Sequence, residues 1–171
     1  MIREFNGVSP KIHETAFIAE SADIIGDVEI GPKSSIWYGV IIRGDMNYIR
    51  IGANTNIQDG TVIHVDSVGE HWDGLPTLIG DNVTIGHRAV IHACTLEDNS
   101  FVAMSATVLD GAVVESGAMV AAGALVTPGK RVPKGQLWGG MPARYMRDLR
   151  PEEMASFDHV TEHYIEISGK Y

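Results

Sequence analysis

Residues 79–92 read IGDNVTIGHRAVIH, and their spacing decides the fold: Ile79, Ile85 and Ile91 recur every six residues, the first two followed directly by glycine. Working outward, the same step runs back through Ile63, Ile57 and Ile51 and, before a break, through Ile42, Ile36, Ile30, Ile24 and Ile18. Forward it continues as Leu96, Val102, Val108, Val114, Val120, Val126 and Val132. All eighteen positions carry Ile, Leu or Val. A step of six is neither the 3.6 of a helix nor the 2 of a strand, so the repeating object is a strand plus its turn. Three such units close one coil, and the eighteen aliphatics predict six stacked coils about 4.8 Å apart, each sending one side chain per face into a narrow core. An ordinary β-sandwich fits poorly, because its strands recur every 8 to 12 residues or so.

Three interruptions break the step: 42 to 51 adds three residues, 63 to 79 adds ten and 91 to 96 drops one. The additions must bulge outward as loops. The nineteen glycines argue against long helices, since each costs about 1 kcal/mol relative to alanine inside one. After residue 144 the pattern changes. Pro151, Glu152 and Glu153 suit a helix start and Gly169 its end, and Phe157, Val160, Tyr164 and Ile167 form an apolar stripe. A helix over about 151–167 is predicted to pack on the β-helix or on a neighbouring subunit.

The chain of 171 residues is read as a single domain over 1–171. Thirteen Lys and Arg against 22 Asp and Glu give a formal charge of −9, which lacks the field that attracts nucleic acid or an anionic membrane. The start MIREFNG has no basic segment followed by an apolar one, and no apolar run approaches the roughly 18 residues of a membrane span. Cys94 is the single cysteine, so no intrachain disulfide forms, and the cytoplasm is the expected compartment.

The repeats, together with Gly139-Gly140-Met141-Pro142-Ala143-Arg144, resemble the hexapeptide-repeat superfamily over roughly 12–144. That resemblance implies an all-β, left-handed parallel β-helix, a hand that general crossover statistics would not choose.

Placed on such coils, Ile42, Ile63 and Ile91 share one face, and the residue after each is Arg43, His64 and His92. His64 and His92 then stack one strand spacing apart, near enough to share a metal at Zn–N distances of about 2.0–2.1 Å. His87 follows Ile85 by two, on the preceding face, so that a corner separates it from His92. A homotrimer resolves the difficulty by letting His87 of one subunit meet the His64 and His92 column of the next. Gln58 and Asp59 follow Ile57, which stacks Asp59 one coil from His87 and turns it toward Arg43 of the neighbouring subunit as an ion pair. Asp45, in the bulge RGDMNY, is a candidate to orient a metal-bound water or to cap a turn. Cys94 reads as an inert core residue, and His13, His71, His159 and His163 as surface histidines.

Arg43-Gly44-Asp45, Asn56-Ile57-Gln58-Asp59-Gly60 with His64, and Gly86-His87 before Ile91-His92 resemble the γ-class carbonic anhydrases. The resemblance implies His64 and His92 of one subunit and His87 of the next as metal ligands, and Arg43 with Asp59 as an intersubunit pair. It implies Asp45 and Gln58 as groups that hydrogen-bond the metal-bound water or bicarbonate. The substrate pair implied is carbon dioxide and bicarbonate, and the metal zinc, with iron or cobalt also acceptable to three imidazoles. In such enzymes three neutral imidazoles leave one position open, where bound water reaches a pKa of about 7 and its hydroxide attacks carbon dioxide. The family's archaeal prototype has a glutamate after the motif's aspartate and a longer, more acidic loop after the first histidine. Here Met46 and the loop VDSVGEHWDGLP stand instead, leaving Glu70 and His71 as candidate proton shuttles. Rival readings are a hexapeptide acyltransferase, a metal-dependent acyl-CoA thioesterase and a non-catalytic metal-binding trimer.

Overall fold

The computed structural model describes residues 1–171. The eighteen aliphatics form three columns of parallel strands, one per face. The first column pairs Ile18 with Ile36, Ile57, Ile85, Val102 and Val120 in turn. The second pairs Ile24 with Ile42, Ile63, Ile91, Val108 and Val126. The third pairs Ile30 with Ile51, Ile79, Leu96, Val114 and Val132. All of these side chains but Ile18 join a single buried cluster of 30 residues that fills the coil axis, with Ile18 packed against it.

The result is a left-handed parallel β-helix of about eight turns with one C-terminal helix. Six coils undercount it: Ile12 opens a further turn one six-residue step before Ile18, while Ile2 leaves the step and Trp138 is aromatic. At the N-terminus Ile2 pairs with Ile24 and Ile12 with Ile30. At the C-terminus Val120 pairs with Trp138, an aromatic residue at the position where the repeat leads one to look for an aliphatic. An antiparallel strand, Arg144–Asp148, then caps the last turn.

Most corners use a residue with positive φ, and this explains much of the glycine and asparagine content. One corner stacks Lys33, Asn54, Asn82 and Asn99 at φ 56–58°. There the Asn54 amide donates to Oδ1 of Asn82 at 3.1 Å. Beside this corner Gly31, Gly52 and Gly80 lie on top of one another, and a Cβ on Gly52 would fall 2.6 Å from the carbonyl carbon of Gly80. The glycine after Ile30, Ile51 and Ile79 is thus a consequence of coil spacing.

The interruptions are accommodated outside the core. Gly26 pairs with Gly44 but Val28 with Ile49, so residues 45–48 are pushed out as a bulge in the strand Ile41–Ile51. The ten-residue insertion is a loop closed by a Gly69–Trp72 bridge and by a 2.7 Å hydrogen bond from the Trp72 indole to Asp66. The lost residue after Ile91 is absorbed by Ala93, held at φ 48°.

Helix α1 (Pro151–Ser168) packs on its own β-helix. Phe157 stacks 5.0 Å from Phe101, and Tyr164 lies 5.4 Å from Trp37. Its buried residues are Phe157 and Thr161, so the buried face includes a threonine that the apolar stripe does not predict. Its start is fixed by Glu153, which accepts two hydrogen bonds from the Arg147 guanidinium and one from the Arg150 backbone N–H. Those bonds hold the Glu153 carboxyl far below the usual carboxylate range. No helix is long and apolar enough to cross a membrane.

If coil spacing dictates the glycines, Gly52→Ala costs more than Gly123→Ala. Gly123 has φ +67° but open space around it, so its substitution costs only the left-handed strain of roughly 1–2 kcal/mol. Gly52 is not left-handed, but its alanine variant meets a backbone collision worth about 3 kcal/mol or more. Urea denaturation of both variants checks this, and the reverse order of midpoints would contradict it.

Candidate metal centre

His64 and His92 are direct register partners on adjacent parallel strands, each carried by a fully buried isoleucine one residue before it. Nδ1 of His64 and Nε2 of His92 face each other at 3.3 Å. Two nitrogens bound to one tetrahedral metal at about 2.0–2.1 Å stand roughly 3.3 Å apart, so the pair matches an edge of such a ligand set. The His64 main chain is fixed from its other side, where Thr77 Oγ1 donates to its carbonyl at 2.6 Å.

The outward nitrogens are occupied. Nε2 of His64 donates to Oδ1 of Asp45 at 3.0 Å, and Nδ1 of His92 donates to Asp110. Asp45 is reached through the 45–48 bulge. Its second oxygen accepts from Arg43 at 2.5 Å, so both oxygens are engaged within the chain. Burial opposes ionisation of Asp45, but the hydrogen bonds from His64 and Arg43 outweigh it and keep the carboxyl below its ordinary range.

His87 is half-exposed at the next corner, where its Nδ1 meets Oδ2 of Asp59 at 2.8 Å. The stacking of Asp59 one coil from His87 is therefore present, whereas Arg43 within the chain pairs with Asp45. No group of three histidine, cysteine or acidic side chains able to hold a metal forms inside one chain. The structure thus unites His64 and His92 and leaves His87 apart, across the corner that the spacing indicates. Of the seven histidines, only these three have a carboxylate within ion-pair distance.

Gln58 is buried, and its Nε2 donates to Oδ1 of Asn56, which in turn donates to Thr84. Cys94 lies in the core cluster, where burial pushes its thiol up to about 12. Glu70 and His71 sit exposed at the tip of the rim loop, and no hydrogen bond or ion pair ties either to the imidazole pair. Met46 is half-exposed beside Asp45, and its neighbour Asn47 reaches the rim loop at the Asp73 carbonyl.

Asp110 was not legible from the repeat. It follows Val108 by two, whereas His92 follows Ile91 by one. The positive-φ turn at Ala93 shortens the corner, and Gly111 N–H bonds the Ala93 carbonyl at 2.7 Å, which brings the Asp110 carboxylate to His92. The visible trace of this was the missing residue between 91 and 96.

No protein-family profile matches the chain. Among curated proteins it is 54% identical over 160 residues to "Gamma carbonic anhydrase 2, mitochondrial" of Arabidopsis thaliana, covering 94% of this chain and 58% of that protein. It therefore spans little more than half the length of the plant relative. It is 50% identical over 157 residues to "Probable carbonic anhydrase" of Methanocaldococcus jannaschii, covering 92% and 95% of the two chains. Among solved structures it superposes on a hexapeptide transferase family protein from Anaplasma phagocytophilum with a TM-score of 0.93 and 48% identity, over 99% and 97% of the two chains. With a paired-imidazole centre on a hexapeptide β-helix and these relatives, the chain belongs to the γ carbonic anhydrase family.

Proposed function

We propose that the protein is a metal-dependent carbonic anhydrase-like enzyme that reversibly hydrates carbon dioxide at the interfaces of a homotrimer. The carrying observation is that the three histidines carried over from the family motif are the three that rest on carboxylates. Metal-ligating histidines characteristically give their second ring nitrogen to such a partner, which fixes tautomer and orientation. Each subunit supplies His64 and His92 to one site and His87 to its neighbour's site, since one chain alone offers only two convergent imidazoles. Zinc is the expected metal, and iron or cobalt suits the same donors. A divalent ion held by three neutral imidazoles supplies the Lewis acidity that turns water into a nucleophile near neutral pH.

The chain's own groups divide the remaining work. Asp45, with both oxygens engaged, acts as a positioning residue through His64. Gln58, its Nε2 held by Asn56, offers its carbonyl side to water or bicarbonate from the neighbouring subunit. Asp59 sets the direction of His87, and an Arg43 to Asp59 pair between subunits would add to that. Proton removal is the weak point. Asp45 is held below the carboxylate range, too acidic to accept a proton efficiently near pH 7, and the Met46 thioether accepts none. Glu70 and His71 on the rim loop are the remaining acceptors.

A second reading, thioester hydrolysis at the same centre, draws support from the apolar side chains Phe5, Val8, Met46 and Tyr48, which stand exposed around a cleft of about 250 Å³ that Asp45 helps to line. It also draws on the transferase-family name of the solved neighbour.

His64→Ala, His92→Ala and His87→Ala should each abolish stoichiometric zinc in the purified protein, as metal analysis after gel filtration will show. Mixed trimers of His64→Ala and His87→Ala subunits should regain part of it. Full occupancy in any single variant, or no recovery on mixing, would sink the shared site.

Carbon dioxide hydration should rise with buffer concentration at fixed pH and ionic strength, and Met46→Glu should raise it in dilute buffer without helping thioester cleavage. A rate indifferent to both changes would place the bottleneck elsewhere. Thioester cleavage by fully loaded protein that shows no hydration would transfer the assignment to the second reading.

A further inference from the structure

We infer that Asp110 is a positioning residue of the metal centre: by accepting the Nδ1 proton of His92 it commits Nε2, the nitrogen that faces His64, to the metal. The inference rests on the ligand assignment of His64, His87 and His92.

A neutral imidazole carries one N–H and one lone pair, and a carboxylate can only accept. The Asp110 contact therefore fixes the proton of His92 on Nδ1 and the lone pair on Nε2. Asp45 does the same for His64 with the nitrogens exchanged, so two lone pairs are presented to each other at 3.3 Å. Two facing lone pairs repel unless a cation lies between them. Without Asp110, His92 is free to move its proton to Nε2 and close the site with an N–H to N hydrogen bond to His64.

The two carboxylates are not equivalent. Asp45 shares its charge with Arg43, whereas the only ion-pair partner of Asp110 in the chain is His92, with the buried Cys94 thiol the other titratable group its charge reaches. Its full negative charge is thus directed at one imidazole, which strengthens that hydrogen bond and makes the ring a better donor to a cation. The backbone around it is held independently of the side chain: Gly111 N–H bonds Ala93, Gly129 N–H bonds the Asp110 carbonyl at 2.8 Å, and the neighbouring Val108 is fully buried. The carboxylate itself is only half-buried. Its removal should leave the coil standing.

The experiment compares wild type, Asp110→Ala and Asp110→Asn by chelator-competed zinc titration, by thermal melting of the metal-free trimer, and by long-range ¹H–¹⁵N correlation of the histidine rings at pH 8. Asp110→Ala should weaken zinc binding about 10- to 100-fold, and Asp110→Asn, which keeps an acceptor without the charge, by less. The metal-free melting temperature should stay that of wild type. The His92 ring should show its proton on Nδ1 in metal-free wild type and a shift toward Nε2 in Asp110→Ala. Zinc affinity of Asp110→Ala within twofold of wild type, or an unchanged His92 tautomer, would overturn the inference. If wild type binds no zinc, the ligand assignment fails, and the tautomer measurement still decides whether Asp110 sets the ring.

Discussion

Parallel backbone hydrogen bonding between successive coils is the constraint on which everything else in this molecule depends. It forces each residue to lie one strand spacing from its counterpart in the coils above and below. A column of isoleucines then makes a dry core, and whatever follows those isoleucines makes a column on the outside. His64 and His92 meet because Ile63 and Ile91 are register partners. The same spacing requires glycine where Gly31, Gly52 and Gly80 stack, because there is no room for a Cβ between coils.

On that scaffold the imidazole pair keeps the repeat, and the groups that flank it sit where the repeat is interrupted. The bulge at 45–48 delivers Asp45 to His64, the long insertion begins just after His64, and the shortened corner after His92 brings Asp110 to it. Ala93, at φ 48°, holds a conformation that costs a non-glycine residue roughly 1–2 kcal/mol. Within the chain the Arg43 guanidinium balances Asp45, whereas the ion-pair partners of Asp59 and Asp110 are the imidazoles of His87 and His92.

How much of this was readable from the sequence depended on whether a feature obeyed the repeat. Register, the three columns, the imidazole pair and the separation of His87 all follow from counting by six, because a parallel stack transmits sequence spacing directly into space. The terminal turns escaped because Ile2 falls off the six-residue step and Trp138 is aromatic, although Ile12 keeps the step one unit before Ile18. Asp110 escaped because it reaches His92 only through a corner shortened by one residue and bent by Ala93, a backbone detail that residue types do not announce. Thr161 escaped for a different reason: hydrophobic periodicity finds apolar stripes and is blind to a threonine buried under a helix. Within the chain Arg43 pairs with Asp45, a contact that arises because the bulge brings that carboxylate within 2.5 Å of the guanidinium.

The central claim is that His64 and His92 of one chain and His87 of another hold one divalent metal. Anomalous diffraction at the zinc edge, from crystals of the protein grown with zinc, tests it most directly. The account predicts one peak per chain at about 2.0–2.1 Å from Nδ1 of His64 and Nε2 of His92, completed by Nε2 of His87 from an adjacent copy. Zinc-supplied crystals with no peak between His64 and His92, or with a peak that His87 of an adjacent copy does not reach, would contradict it.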